Sequence, residues 1–261
     1  MERLDKELVK RNLVNSRSKA QELINNRCVL VNNKIVIKNN YLVSDEDNIS
    51  IKDNNILKYV SRGGLKLEGA IKTFNLDLKD KTIMDIGSST GGFTDCALQY
   101  GAKKVIAIDV GTDLLVDSLR NDKRVELYEQ LNIKDAKKEL FDDIEMIVSD
   151  VSFISLKHII DKIDSINKDF ELVFLIKPQF ECGKEVATKY KGVIRDKEVH
   201  YNILKDLISY FRNKKYYLYN LDVSCIHGGD GNIEYLAYFG RNIERENNIN
   251  FLEMVNKAFK N

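Results

Sequence analysis

The sequence predicts an α/β protein: a doubly wound, mostly parallel sheet of seven strands with an antiparallel edge hairpin, preceded by a small α+β head. Three observations predict it. From Lys81 onward, short apolar runs alternate with segments of helical period, the rhythm of parallel strands joined by crossover helices. Two long aromatic-rich runs near the end, YYLYNLDVSCI (216–226) and IEYLAYFG (233–240), are separated by only a short Gly-rich loop and so pair antiparallel. The first 43 residues differ in charge, with nine Lys/Arg against four acids in a chain of 261 residues that nets only +1.

The head reads as two helices and short strands. Leu4, Leu8 and Val9 mark one apolar face, and Ala20, Leu23 and Ile24 mark a second behind Ser16 as N-cap. VLVNNKIVI (29–37) folds back at Asn32-Asn33, and NISI near residue 50 adds a strand. The expected organisation is a head over 1–52, a linker over 53–60, the sheet domain over 61–242 and a helical tail over 243–261. The five parallel strands are TIMDIG (82–87), VIAIDVG (105–111), VELYEQ (125–130), IEMIVSD (144–150) and ELVFLIKP (171–178). FTDCALQYG, DLLVDSLR, ISLKHIIDKI and residues 197–213 supply the helices.

Composition excludes several classes. Apolar residues make up 43% and charged residues 31%, which suits a globular protein with a core. No apolar run approaches the roughly 18 residues of a membrane span, and Glu2, Arg3, Asp5 and Lys6 stand where a signal peptide needs an apolar stretch. A cytoplasmic protein without a membrane partner is expected. Cys28, Cys96, Cys182 and Cys225 are scattered and His158, His200 and His227 are not placed as ligands, so no metal site and no disulfide framework is expected, but four reduced and mostly buried thiols. A basic head on a mildly acidic body is the asymmetry of a protein in which one part holds a phosphate backbone. Nothing in the sequence determines the oligomeric state; a monomer is the expectation.

A parallel sheet closed by an antiparallel hairpin is the Rossmann-like architecture of class I methyltransferases, which use S-adenosylmethionine (SAM). The loop after the first parallel strand agrees. Asp85, Gly87, Ser88, Ser89, Thr90, Gly91, Gly92 and Phe93 lie where strand gives way to helix, with glycines that let a ligand approach the backbone and amides expected to point at it. The loop lacks the GxGxxG of a pyrophosphate site and the Gly-Lys-Ser/Thr of a P-loop. Asp85, inside the strand, repels phosphate and suits the amino group of SAM. Asp109 ends the next strand, where an acid accepts from both ribose hydroxyls of an adenosine.

Charged residues then collect at the strand ends, where the crevice of an open α/β sheet lies. Asp150, counted with both the cofactor and the catalytic sets, ends the fourth strand. Lys177 ends the fifth, and Glu234 opens the antiparallel last strand on the same edge. Lys66, in SRGGLKLEGA, is close enough in sequence to fold over the crevice. A lysine after the apolar LVFLI is expected to be desolvated, which lowers a lysine pKa. Two lysines and two carboxylates beside SAM suit a ribose 2′-hydroxyl, a poor acid that must lose its proton as it attacks a methyl group.

RLDKEL, SRSKAQELI with VLVNNKIV, VSRGGLKL, DIGSSTGGFTD, SDVSFISL, IKPQFECGK and GNIEYL run in order from residue 3 to about 240. With them the chain resembles the TlyA family of rRNA 2′-O-methyltransferases, historically also called hemolysins, whose catalytic domain is FtsJ-like. The resemblance implies an N-terminal alpha-L RNA-binding module, SAM as cofactor, a cytidine ribose in ribosomal RNA or ribosomal subunits as target, and a tetrad of Lys66, Asp150, Lys177 and Glu234 with Lys177 as base. In the head, Arg3, Arg17, Lys19 and Arg27 are the candidate phosphate contacts, with Arg17 and Lys19 favoured at a helix N-terminus and Arg3 open to local pairing with acids. Two other readings compete: a non-enzymatic RNA-binding or ribosome-assembly factor on a vestigial fold, and a membrane-lytic protein. The intact Asp85 loop and complete tetrad oppose the first; the lack of a hydrophobic hairpin opposes the second.

Overall fold

A computed structural model describes residues 1–14, 16–25, 27–52, 58–228 and 231–260. They form two units, Met1–Lys58 and Tyr59–Asn261. Of the linker expected over 53–60, residues 53–57 lie outside the described residues.

The first unit runs β1 (Glu2–Arg3), α1 (Leu4–Lys10), α2 (Arg17–Asn25), β2 (Val29–Val31), β3 (Lys34–Ile35), β4 (Leu42–Val43) and β5 (Ile49–Ile51). Its core is the stripe the periodicity marks: Leu4, Leu8, Ala20, Leu23 and Ile24 are fully buried. Ser16 caps α2, its Oγ accepting from Lys19 N at 3.3 Å. Asn32 and Asn33 turn the β2–β3 hairpin at φ 50° and 65°, left-handed values that asparagine tolerates and a two-residue turn requires.

The second unit runs α3 (Gly63–Phe74), β6 (Thr82–Ile86), α4 (Gly92–Gln99), β7 (Lys104–Ile108), α5 (Asp117–Arg120), β8 (Val125–Tyr128), β9 (Met146–Ser149), α6 (Leu156–Ile166), β10 (Glu171–Ile176), α7 (Pro178–Glu181), α8 (Lys184–Lys189), α9 (Lys197–Asn213), β11 (Tyr217–Val223), β12 (Tyr235–Gly240) and α10 (Phe251–Ala258). The sheet has the order β11-β12-β10-β9-β6-β7-β8. The strands β6 to β10 are parallel, and β12 is antiparallel to both its neighbours. Burial on both faces explains why β6, β7, β9 and β10 read as nearly continuous apolar runs, while β8, at the sheet's edge, is half-buried.

DLLVDSLR departs from expectation, since only Asp117–Arg120 is helical. Asp113 is left-handed at φ 54°. Leu115 and Leu119 instead pack under Gly91, where an added Cβ would come within 2.7 Å and 2.3 Å of them. The tail docks as well: Asn250 caps α10, and Val255 and Ala258 are buried in the core.

Candidate active site

Four side chains from distant parts of the second unit meet at the carboxyl edge of the sheet. Lys66 projects from α3, Asp150 follows β9, Lys177 follows β10, and Glu234 immediately precedes β12. Because β12 runs antiparallel, its start lies on the edge where β9 and β10 end. Lys177 Nζ stands 2.6 Å from Asp150 Oδ1. Lys66 Nζ stands 3.1 Å from Asp150 Oδ2 and 2.7 Å from Glu234 Oε2. The result is a row of alternating charge, Lys177–Asp150–Lys66–Glu234, with all but Asp150 buried. Burial pushes the Glu234 carboxyl up from its usual range, and the Lys66 ammonium opposes that. Gly228 makes room for it: a Cβ there would lie 2.1 Å from Glu234 Oε1.

Lys177 has two further neighbours that sequence reasoning missed. Its Nζ donates to Ser152 Oγ at 3.0 Å, and it lies 5.8 Å from the centre of the Phe180 ring. Phe153, left-handed at φ 66° and 90% exposed, holds its ring 4.9 Å from that of Phe180. Both Ser152 and Phe153 stand beside Asp150 in SDVSF, so proximity along the chain was the available signal.

The loop after β6 is built for close approach but not in the way expected. The amides of Gly87 and Ser88 donate to Ile108 O, that of Gly91 to Ser88 O, and that of Ser89 to Asp109 Oδ2 at 2.8 Å. They hold the loop's own shape instead of pointing outward, because the chain must turn tightly from β6 into α4 against the end of β7. Gly87 (φ 80°) lies against Val151, where a Cβ would come within 2.8 Å of Cγ1. Gly92 lets α4 approach α3, where a Cβ would sit 2.4 Å from Ser61 Oγ. Ser89 and Thr90 are exposed, whereas the Phe93 side chain belongs to the core.

The two acids sit differently. Asp109 is half-buried and takes the amides of Ser89 and Gly111, each at 2.8 Å. Asp85 is buried and accepts from Thr94 Oγ1 at 2.7 Å, and burial pushes its carboxyl up to about 7. Asp85 Oδ1 and Ser88 Oγ are buried without a hydrogen-bond partner among the described residues. An orphaned acceptor and an orphaned hydroxyl beside a glycine turn fit the amino-acid end of SAM.

In the head, Arg3 and Arg17 share one acid. Buried Asp5 takes Arg3 Nε at 3.0 Å on Oδ1, and Arg3 Nη2 at 3.0 Å, Arg17 Nη2 at 2.9 Å and Gln21 Nε2 at 2.9 Å on Oδ2. Burial alone would raise the Asp5 pKa, but these bonds outweigh it and hold the carboxyl well below its usual range. Local pairing, weighed for Arg3, therefore extends to Arg17. Their side chains stay 40% and 51% exposed. Lys19 is half-buried and Arg27 exposed.

Cys28 and Cys96 are buried, Cys182 is half-buried and Cys225 is exposed, none of them in a disulfide, so only half of them meet the expectation of burial. No His/Cys/Asp/Glu cluster of metal-binding kind occurs among the described residues. His200 has a structural place, 2.8 Å from Tyr235 Oη and 3.1 Å from Ile194 O. No helix among the described residues is long and apolar enough to cross a membrane.

Comparison with known proteins gives a consistent picture. Residues 59–241 match the family model of FtsJ-like methyltransferases, and residues 2–49 match that of the S4 domain. The chain is 46% identical to Hemolysin A of Brachyspira hyodysenteriae over 240 residues, covering 91% of this chain and 99% of that one. It is 35% identical to the 23S rRNA (cytidine-2′-O)-methyltransferase TlyA of Campylobacter jejuni, covering 90% and 98%. A solved hemolysin-type structure from Streptococcus thermophilus superposes with a TM-score of 0.78 at 37% identity, covering 99% of this chain and 96% of that one. With its S4 head, its FtsJ-like sheet and kinship along nearly its whole length, the chain belongs to the TlyA family of FtsJ-like methyltransferases.

Proposed function

We propose that this chain transfers a methyl group from SAM to the ribose 2′-hydroxyl of a cytidine in ribosomal RNA, with Lys66, Asp150, Lys177 and Glu234 as its catalytic residues. The observation that carries this reading is the alternating row at the sheet's carboxyl edge, beside the loop that fits SAM. SAM is the cofactor, and when bound it supplies an electrophilic methyl group.

The chain's residues do the rest. Asp85 and Ser88 take the amino-acid end of the cofactor, and Asp109 takes the ribose hydroxyls. Lys177 is the base that accepts the proton of the attacking hydroxyl. Asp150 holds that nitrogen in place from 2.6 Å, and Ser152 offers it an oxygen at 3.0 Å. Lys66 neutralises the inner carboxylates, so Asp150 stays fixed between two amines. Alignment of oxygen with methyl group and leaving sulfur supplies most of the remaining acceleration. The exposed Phe153 ring offers a face on which a nucleobase can stack. Arg3, Arg17, Lys19 and Arg27 hold RNA phosphates by shape and charge, since the head lacks a row of aromatic side chains for reading bases.

The test is methyl transfer from tritiated SAM to ribosomal subunits, with nuclease digestion to identify 2′-O-methylcytidine. Lys177→Ala is expected to lower transfer by about 10²–10⁴-fold while calorimetric SAM binding persists. Label in protein or DNA but not in RNA would reject the reading.

A further inference from the structure

Between Lys177 and α9 the chain makes an excursion that the core does not require. α8 (Lys184–Lys189) contributes no buried residue. An isolated six-residue helix gains little by forming. The turn after it uses left-handed Lys191 and Gly192, at φ 51° and 78°. What the segment does present is charge. Residues 184–197 carry five Lys/Arg against two acids, in a body (44–261) that nets −4.

Lys184, Lys189, Lys191 and Arg195 are all exposed, and none forms an ion pair among the described residues. Some other cations of the same unit are engaged, such as Lys157 with Asp206, Arg212 with Glu246, Lys214 with Asp161 and Arg241 with Asp164. Others, such as Lys103, Lys134, Lys162 and Lys205, likewise form no ion pair among the described residues, so it is clustering beside the active site that sets 184–195 apart. The base of the excursion is pinned to three strand ends of the active site. It departs from Lys177 itself. Glu181 accepts from Ser155 Oγ at 2.6 Å and Leu156 N at 2.8 Å, just beyond Asp150. Asn232, two residues before Glu234, donates Nδ2 to Gly192 O at 3.0 Å.

We propose that residues 184–195 form a second RNA-contact surface, on the methyltransferase unit, in which Lys184, Lys189, Lys191 and Arg195 grip phosphates flanking the target nucleotide. The inference rests on the rRNA reading above and adds where the strand is held. Charge complementarity favours a polyanionic strand over a protein partner. The exposed side chains here are Lys, Arg, Glu and Thr, without the aromatic or aliphatic anchors that a protein interface centres on.

The probe is the ribosomal subunit that the wild-type protein methylates, bound over a series of KCl concentrations. K184Q/K189Q/K191Q/R195Q is expected to flatten the slope of log Kobs against log[salt] by roughly 3, at about 0.7–0.9 per phosphate contact. The loss in kcat/KM should fall on KM, with SAM affinity and melting temperature unchanged. An unaltered slope overturns the proposal. Acetylation footprinting of the wild type decides the case independently of the variant's folding: bound RNA should protect Lys184, Lys189 and Lys191, and their full reactivity in the complex overturns it. Failure of the wild type to methylate RNA strikes the broader reading; methylation with an unaltered slope strikes this surface alone.

Discussion

At Asp85 burial and function pull in opposite directions. Burial holds the carboxyl at about 7, so it is largely protonated in mild acid. A ligand ammonium beside Oδ1 needs the carboxylate. The sign follows: the form that binds is lost as pH falls through the raised pKa, so SAM affinity should weaken by up to about tenfold per unit below that value and level off above it. Calorimetry across pH checks this, and Asp85→Asn should flatten the profile. Asp5 is the opposite case, a buried acid kept ionised by Arg3, Arg17 and Gln21. Asp5→Ala is expected to destabilise the head by about 2–3 kcal/mol, since it removes charge-assisted bonds but leaves guanidiniums that can turn to water. Chemical denaturation measures it. Three of the tetrad were legible because Asp150, Lys177 and Glu234 stand at strand ends; Lys66, on α3, had only its closeness in sequence to the first parallel strand to mark it. The sharing of Asp5 by two arginines was not, because Arg17 lies on another helix and no spacing rule connects them.

Among the elements, α6 shows why the parallel domain could be read from its pattern. Leu156, Ile159, Ile160, Ile163 and Ile166 repeat every three or four residues and are all buried. Ile163→Ala should cost about 2–5 kcal/mol through the cavity it leaves, measurable by urea unfolding. The strands β6, β7, β9 and β10 were visible for a related reason: covered on both faces, they carry nearly continuous apolar runs, whereas β8, at the margin, is half-buried. The elements hidden in the sequence are those made by tertiary contact. SRGGLKLEGA, with three glycines in ten residues, is not among the expected helices, yet Gly63–Phe74 is the helix that carries Lys66. Its glycines serve packing: a Cβ at Gly64 would lie 2.3 Å from the Tyr59 ring. The β1–β4 pair is two residues long on each side, too short for any period to announce it.

On the scale of the molecule, division of labour was foreshadowed by the charge contrast between head and body, and each unit has its own apolar core. A chain of residues 59–261 should therefore fold and bind SAM with unchanged affinity, while its kcat/KM on ribosomal subunits falls by about tenfold or more. Filter binding and tritium transfer, run side by side, check both halves. Strand order has an outcome of another kind. β12 is the last strand to leave the ribosome that makes this protein, yet its place is between β10 and β11 and not at a margin. Glu234, directly before it, completes the charge row. A nascent chain thus lacks a working centre until Glu234 and the strand behind it have emerged, so the sheet's parallel strands and three members of the row wait on a segment made long after them.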